Sequence, residues 1–389
     1  MTTIAQTATG TFAERAVVAR VPWSIFAVIF ASTSVVVGVI WDISWHRTIG
    51  RDTFWTPAHL AIYLGGVVAG LTCGALALWT TFAGSADNRA AAVRFWGFRA
   101  PLGAWVCIWG TFAMLTSAPF DDWWHNTYGL DVKIISPPHM VLAAGIAAIQ
   151  CGAMLMTLAW QNRAVGDRKL LGRLYLVAAG LLLLLVSTVA TEYIQRWDMH
   201  QSLFYQVSAG VFVFLLVSTA RASIARWPAT ITALAYFALT LIMLLVLPLF
   251  PGQPLLGPIY VQVDRFMPPD FPLLLFVPAL AIDYVMHRSR PGRASDWRLS
   301  ALIALLFVVV FVAAQWPFAD FLVSSPYARN DFFGSHRMDY GVPPEIQQRW
   351  YRINDPDNLA VGLPIAVGLA FVSARLGLWW GNWMARVQR

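Results

Sequence analysis

Apolar residues dominate this chain in long continuous runs. They do not follow the one-sided stripe of a surface helix or the alternation of a half-buried strand. Ten such runs fall near 23–41, 57–82, 97–119, 138–160, 170–191, 202–220, 228–250, 271–287, 299–319 and 359–382. A helix crosses the hydrocarbon core with about 20 mainly apolar residues. The pattern predicts an all-α, polytopic transmembrane bundle of about ten spans. The first run is too long for a cleaved signal peptide, and no A-x-A-like site follows it.

The polar connections alternate in charge. Basic residues cluster at Arg15 and Arg20, at Arg89, Arg94 and Arg99, and at Arg163, Arg168, Lys169 and Arg173. They recur at Arg221 and Arg226, at Arg288, Arg290, Arg293 and Arg298, and at Arg386 and Arg389. The other connections carry Asp42, Asp52, Asp121, Asp122, Asp131, Asp198, Asp264, Asp320, Asp331 and Asp339. Cytoplasmic loops hold the excess of Lys and Arg. Both termini are therefore expected in the cytoplasm of a bacterial-type inner membrane, with the acidic loops outside. The expected organisation is a cytoplasmic segment 1–22, a four-span region 23–160 and a six-span region 161–389. The last region includes a long outer loop at 320–358 that reads as a lid, a partner surface or a plain connection.

Composition narrows the class. Of 389 residues, 58% are hydrophobic and 12% charged, against about a quarter charged in soluble proteins. This excludes a soluble enzyme, a disordered chain and a DNA-binding domain. The net charge of +7 sorts to the cytoplasmic loops and implies no nucleic-acid partner. Cys73, Cys107 and Cys151 lie in apolar stretches at unlike spacings, so neither a disulfide framework nor a Cys-based zinc site is expected. No Walker A, GxGxxG or CxxCH motif is present.

The first two outward loops resemble each other. One runs Trp41-Asp42-Ile43-Ser44-Trp45-His46 to Gly50-Arg51-Asp52-Thr53 and Thr56-Pro57-Ala58-His59. The other runs Phe120-Asp121-Asp122-Trp123-Trp124-His125 to Gly129-Leu130-Asp131 and Ser136-Pro137-Pro138-His139. Each is Asp-x3-His followed by a second His. Asp and His four apart share one helical face. Thr or Ser before Pro signals a helix start, which places His59 and His139 in first turns. The positive helix end there favours the neutral, ligating imidazole. Two His and one Asp suit copper, zinc or iron; calcium and magnesium prefer oxygen. Asp42, His46 and His59 form one candidate metal site, and Asp121, His125 and His139 the other. Helix register decides between Asp121 and Asp122. Asp52 and Asp131 can ligate or orient a ligating His, and orienting is preferred. Arg51 balances charge. The stripes Gly66/Gly70/Gly74 and Ala144/Ala148/Gly152 suit close helix packing. They would bring the two copies together as two adjacent metal positions or one shared position.

Asp-x3-His-x12-His around Arg51-Asp52-Thr53 and Thr56-Pro57 resembles the C subunit of the copper membrane monooxygenases, which oxidise methane, ammonia or short hydrocarbons. That family carries a second Asn-x3-His-x13-His site, whose spacing Asp121, His125 and His139 keep with Asp in place of Asn. The resemblance covers about residues 40–150. It implies copper near the outer face, companion monooxygenase-type subunits, a quinol or other reductant, and O2-dependent hydroxylation of a small apolar substrate delivered through the lipid bilayer. One span precedes the first motif and six follow the second, unlike the family. The other readings are a membrane metal-handling or assembly protein, or a metal transporter, using the same Asp/His sites, with homo- or hetero-oligomers allowed.

Other polar clusters lie outside this repeat. Glu192, Asp198 and His200 beside Arg196 read as a solvated loop or as supports for the site. Asp283 and His287 read as a local hydrogen bond. His336 with Asp331 and Asp339 reads as a cover from outside. Trp41, Trp45, Trp55, Trp123 and Trp124 read as an interfacial aromatic belt.

Overall fold

A computed structural model describes residues 21–129, 136–163, 168–191, 194–289 and 293–389. Helices α1 (Trp23–Thr48) and α2 (Pro57–Phe82) form the first antiparallel pair. A short α3 (Ala86–Ala90) and a hairpin of β1 (Val93–Phe95) and β2 (Phe98–Ala100) follow. The hairpin turns at Trp96 and Gly97, both with positive φ (46° and 86°), as a type I′ turn requires. Then come α4 (Leu102–Tyr128), α5 (Pro137–Arg163), α6 (Arg168–Thr191), α7 (Ser202–Ala222) and α8 (Pro228–Val246). The chain ends with α9 (Phe276–Arg288), α10 (Arg293–Ser324), a one-turn α11 (Pro344–Gln347) and α12 (Leu359–Met384). Among the described residues, nine helices are long and apolar enough to cross a membrane. Multi-pass membrane architecture follows. The expected third run starts later than its hydropathy suggests, because residues 93–100 form the hairpin.

The run expected at 271–287 is corrected. Its helix α9 has 13 residues, about 20 Å long, and cannot cross a core of about 30 Å alone. Pro268, Pro269 and Pro272 precede it and cannot donate backbone hydrogen bonds. The segment before α9 is therefore extended. Protein groups satisfy its backbone in place of helical bonds. Met267 N donates to Thr48 Oγ1 at 2.8 Å, Leu273 N to the Tyr236 hydroxyl at 2.9 Å, and Leu274 N to Gln315 Oε1 at 2.9 Å. Asp283 on α9 then accepts from Ala229 N at 3.1 Å and Thr230 N at 2.8 Å, capping α8 from outside its own chain segment. The C-terminal part of α9 thus lies level with the start of α8. The expected local bond is also present, with His287 Nδ1 at 3.0 Å from the Asp283 carbonyl.

Small residues set the helix spacing in the first half. Gly65 meets Val35 and Ala31 on α1; Gly66 and Gly70 meet Met114 and Thr111 on α4; Gly110 meets Gly145 on α5. At Gly74, third in the expected stripe, an added Cβ would meet nothing within 4 Å. One end of the bundle is covered by irregular chain. Leu255 N donates to the Ile49 carbonyl at 2.9 Å, and Tyr260 N and Val261 N to the Tyr340 carbonyl at 2.8 and 3.0 Å. Arg47 pairs with Asp339 at 2.8 Å. Buried Arg196 donates to the Ser335 carbonyl at 3.2 Å and stacks on Trp350. The long loop after α10 is therefore docked onto this end.

Candidate metal centre

The first candidate site lies where α1 ends and α2 begins, under that covered end. Asp42 and His46 stand one turn apart near the end of α1, and His59 is the third residue of α2. Between them the chain reverses at Gly50, whose φ is +82°, the left-handed region glycine tolerates. The equivalent Gly129 after α4 has φ +88°. Trp45 Nε1 donates to the Arg51 carbonyl at 2.9 Å and closes this turn, leaving the Arg51 side chain exposed. Thr56 precedes Pro57 as expected, but its hydroxyl accepts from Thr53 N at 2.8 Å rather than from the helix.

Four side chains form a ring of alternating acid and imidazole. Asp42 Oδ1 lies 3.0 Å from His59 Nε2, and Asp52 Oδ2 lies 3.5 Å from the same nitrogen. Asp52 Oδ2 also lies 3.6 Å from His46 Nε2, and Asp42 Oδ2 completes the ring at 3.8 Å from His46 Nε2. Asp52 thus faces both imidazoles directly, rather than standing behind one of them.

The His59 tautomer follows from its other nitrogen. Nδ1 lies 2.9 Å from the Thr53 carbonyl, which can only accept. Nδ1 therefore carries the hydrogen, and in a neutral ring Nε2 presents a lone pair. Nε2 faces Asp42 Oδ1, a buried carboxylate oxygen that can only accept. Two acceptors at 3.0 Å require a positive charge, either a ring proton or a metal ion. Sequence reasoning missed this role of Thr53, although Thr53 stood within the quoted motif.

The donor set suits a transition metal in chemistry. Ligands at about 2.1 Å from a tetrahedral ion stand about 3.4 Å apart, close to the four separations in the ring. The fit is pairwise. Among the described residues, no group of three or more His, Cys, Asp or Glu is focused as a ready-made metal centre.

Asp121 and His125 lie on α4, and His139 is the third residue of α5. Asp121 Oδ1 lies 3.9 Å from His139 Nε2. His139 Nδ1 lies 2.9 Å from Ser136 Oγ, the counterpart of the Thr53 contact. Asp122 points away, exposed, and accepts from Asn126 Nδ2 at 3.2 Å. Helix register therefore turns Asp121, not Asp122, towards His139. Tyr63, whose ring centre is 6.1 Å from that of His59, lies within electrostatic reach of Asp42, Asp52 and Asp121. Asp131, Glu192, Arg15, Arg20 and Arg290 lie outside the described residues.

The remaining candidates sit elsewhere. Asp198 accepts from Asn354 Nδ2 at 2.6 Å. His200 is buried 3.7 Å from Asp320 and packs its ring edge-on to Trp316. His336 faces Asp331 at 3.6 Å, whereas Asp339 is taken by Arg47. Of the expected aromatic belt, Trp55 and Trp123 are exposed, while Trp41 and Trp45 pack against the core.

The chain matches no protein-family profile, no curated protein and no solved structure.

Proposed function

We propose that this chain is a multi-pass membrane metalloprotein that holds a transition metal at Asp42, His46, Asp52 and His59. Its preferred metal is copper, by resemblance to the membrane monooxygenase C subunit, with zinc and iron as competitors for the same donors. The observation that carries this reading is the Asp42–His59 contact, in which a buried carboxylate oxygen lies 3.0 Å from an imidazole nitrogen whose partner nitrogen already donates to Thr53. Thr53 fixes the tautomer and aims Nε2 inward, the outer-sphere support that ligating histidines commonly have. A second, related position is assigned to Asp121, His125 and His139. We place these sites at the outer face of a bacterial-type inner membrane, with both termini cytoplasmic.

In the oxygenase reading, bound copper supplies redox chemistry for O2-dependent hydroxylation of a small apolar substrate. Companion subunits and a quinol or other reductant provide the rest. The protein's own part is to hold the metal, orient His59 and admit substrate from the bilayer. A second reading, metal handling or assembly without turnover, is favoured by Asp52. Four protein donors close a tetrahedral set, whereas catalytic sites keep one position open.

The test is metal content of the full chain purified without chelators, alongside His46→Ala/His59→Ala. Copper lost in the variant, with a nitrogen-coordinated Cu(II) resonance in the parent, supports the site. O2 uptake with reductant and hydrocarbon then separates the oxygenase from the handling protein, and metal uptake into vesicles identifies a transporter. A metal-free parent with the same stability as the variant overturns the proposal.

A further inference from the structure

Deeper in the same helices, the fold gathers three sulfur atoms whose spacing in the chain gave no hint of it. Cys73 on α2, Cys107 on α4 and Met156 on α5 are 0%, 0% and 1% exposed. Cys73 Sγ lies 3.9 Å from Met156 Sδ. Cys107 Sγ donates to the Ile149 carbonyl at 3.8 Å, and its thiol lies within electrostatic reach of Cys73. Gly152 makes the room. A Cβ there would clash with Cys107 Sγ, so α4 and α5 approach closely enough to bring the sulfur in. Ala77, Ala104, Ala153 and Leu176 complete an apolar cage. Cys73 is 14 residues along α2 from His59, about 21 Å along the helix axis. The trio is thus separate from the Asp/His ring.

We propose that Cys73, Cys107 and Met156 form a second metal site, selective for Cu(I). Soft thiolate and thioether donors select Cu(I), whereas imidazole and carboxylate do not. Metal–sulfur bonds of about 2.3 Å put three ligands in a plane about 4.0 Å apart, close to the observed Cys73–Met156 separation. Binding displaces one thiol proton, and Cu(I) with one thiolate, one thiol and one thioether carries no net charge. That neutrality suits an apolar cage, where a charged complex would be costly. No electron is transferred, because the ion enters reduced. The site holds one oxidation state of copper deep in the bundle, on the helices that carry the Asp/His ring at their ends.

The experiment titrates full-length Cys151→Ser protein in detergent with Cu(I) against a chromogenic chelator, under reductant. One Cu(I) per chain is expected to disappear in Cys73→Ser/Cys107→Ser and to survive in His46→Ala/His59→Ala. Met156→Leu conserves volume and guards against misfolding. It should keep the stoichiometry and weaken Cu(I) about tenfold or more, since even outer-sphere changes cost about 10–100-fold. X-ray absorption on the His46→Ala/His59→Ala protein with one equivalent of Cu(I) should show sulfur neighbours alone. Unchanged stoichiometry in the double Cys variant, nitrogen or oxygen neighbours only, or a Cys73–Cys107 disulfide that binds no Cu(I) after reduction each overturns the proposal. Loss of the Asp/His metal leaves it standing.

Discussion

Asp42 Oδ1 and His59 Nε2 meet 3.0 Å apart across the turn that joins α1 to α2. Nδ1 donates to Thr53, so either a second ring proton or a metal ion joins Nε2 to Asp42. Asp42→Asn keeps the shape and removes the charge. If a metal joins the pair, the substitution should weaken metal binding by at least the 10–100-fold typical of supporting groups. If a ring proton joins them, the variant instead loses stability equally with and without chelator. Paired thermal melts distinguish the two.

Asp52 provides a sharper test of the ring. Its Oδ2 touches both imidazole nitrogens, at 3.5 and 3.6 Å. Asp52→Asn should release metal as readily as Asp42→Asn does. A variant with unchanged metal content would return Asp52 to an orienting role. In the parent, metal at 100-fold over Kd should add about 2.7 kcal/mol of stability, removed by chelation.

The extended segment before α9 is predicted to cross the membrane together with that helix. Cysteines at Gln253 and Arg288, introduced with Cys151→Ser, should react with an impermeant maleimide from opposite sides. Reaction from one side only would remove this crossing and leave the nine long helices. Asp283→Ala, which strips the cap from α8, should cost about 1–2 kcal/mol in unfolding experiments.

Gly50 is predicted to be intolerant of substitution. Its φ of +82° is strained for any residue with a Cβ, and the added atom would meet the Tyr340 hydroxyl. Gly50→Ala should cost about 1–3 kcal/mol. Gly50→Ala/Tyr340→Phe should recover only the part due to the clash. Full recovery would mean that the backbone turn carries no strain.

His200 should make stability fall in mild acid. Burial holds its imidazole below the ordinary value of 6.5, against a smaller opposing pull from Asp320. The unfolded chain then binds a proton that the folded chain resists, so stability is present above 6.5 and declines as pH falls through that value. His200→Gln should flatten the melting temperature between pH 7 and pH 5, measured as a difference from the parent. A parallel decline in both proteins would place the acid sensitivity elsewhere.

The long helices were legible because length and apolarity suffice for them: a span satisfies its own backbone and needs no partner to be recognised. The first turns holding His59 and His139 were legible for a similar reason, since Pro at the first helical position is a local signal. The run at 271–287 misled because apolarity says where a segment is buried and not whether it is helical. The prolines at 268, 269 and 272 carried that information. Tyr236 and Gln315 then supplied, from distant helices, the acceptors the extended backbone required.

The sequence alone determined the helical, multi-pass class of protein, the nine long apolar helices and the choice of Asp42, His46, His59, Asp121, His125 and His139 as candidate ligands. Those features depend on local composition and on spacing within one helix or one turn. Tertiary structure decided that Asp52 faces both imidazoles, that Asp121 rather than Asp122 turns towards His139, and that Cys73, Cys107 and Met156 meet. Each depends on how far helices rotate and approach. That is set by contacts such as Gly152 against Cys107, between residues whose separation along the chain carries no record of their meeting.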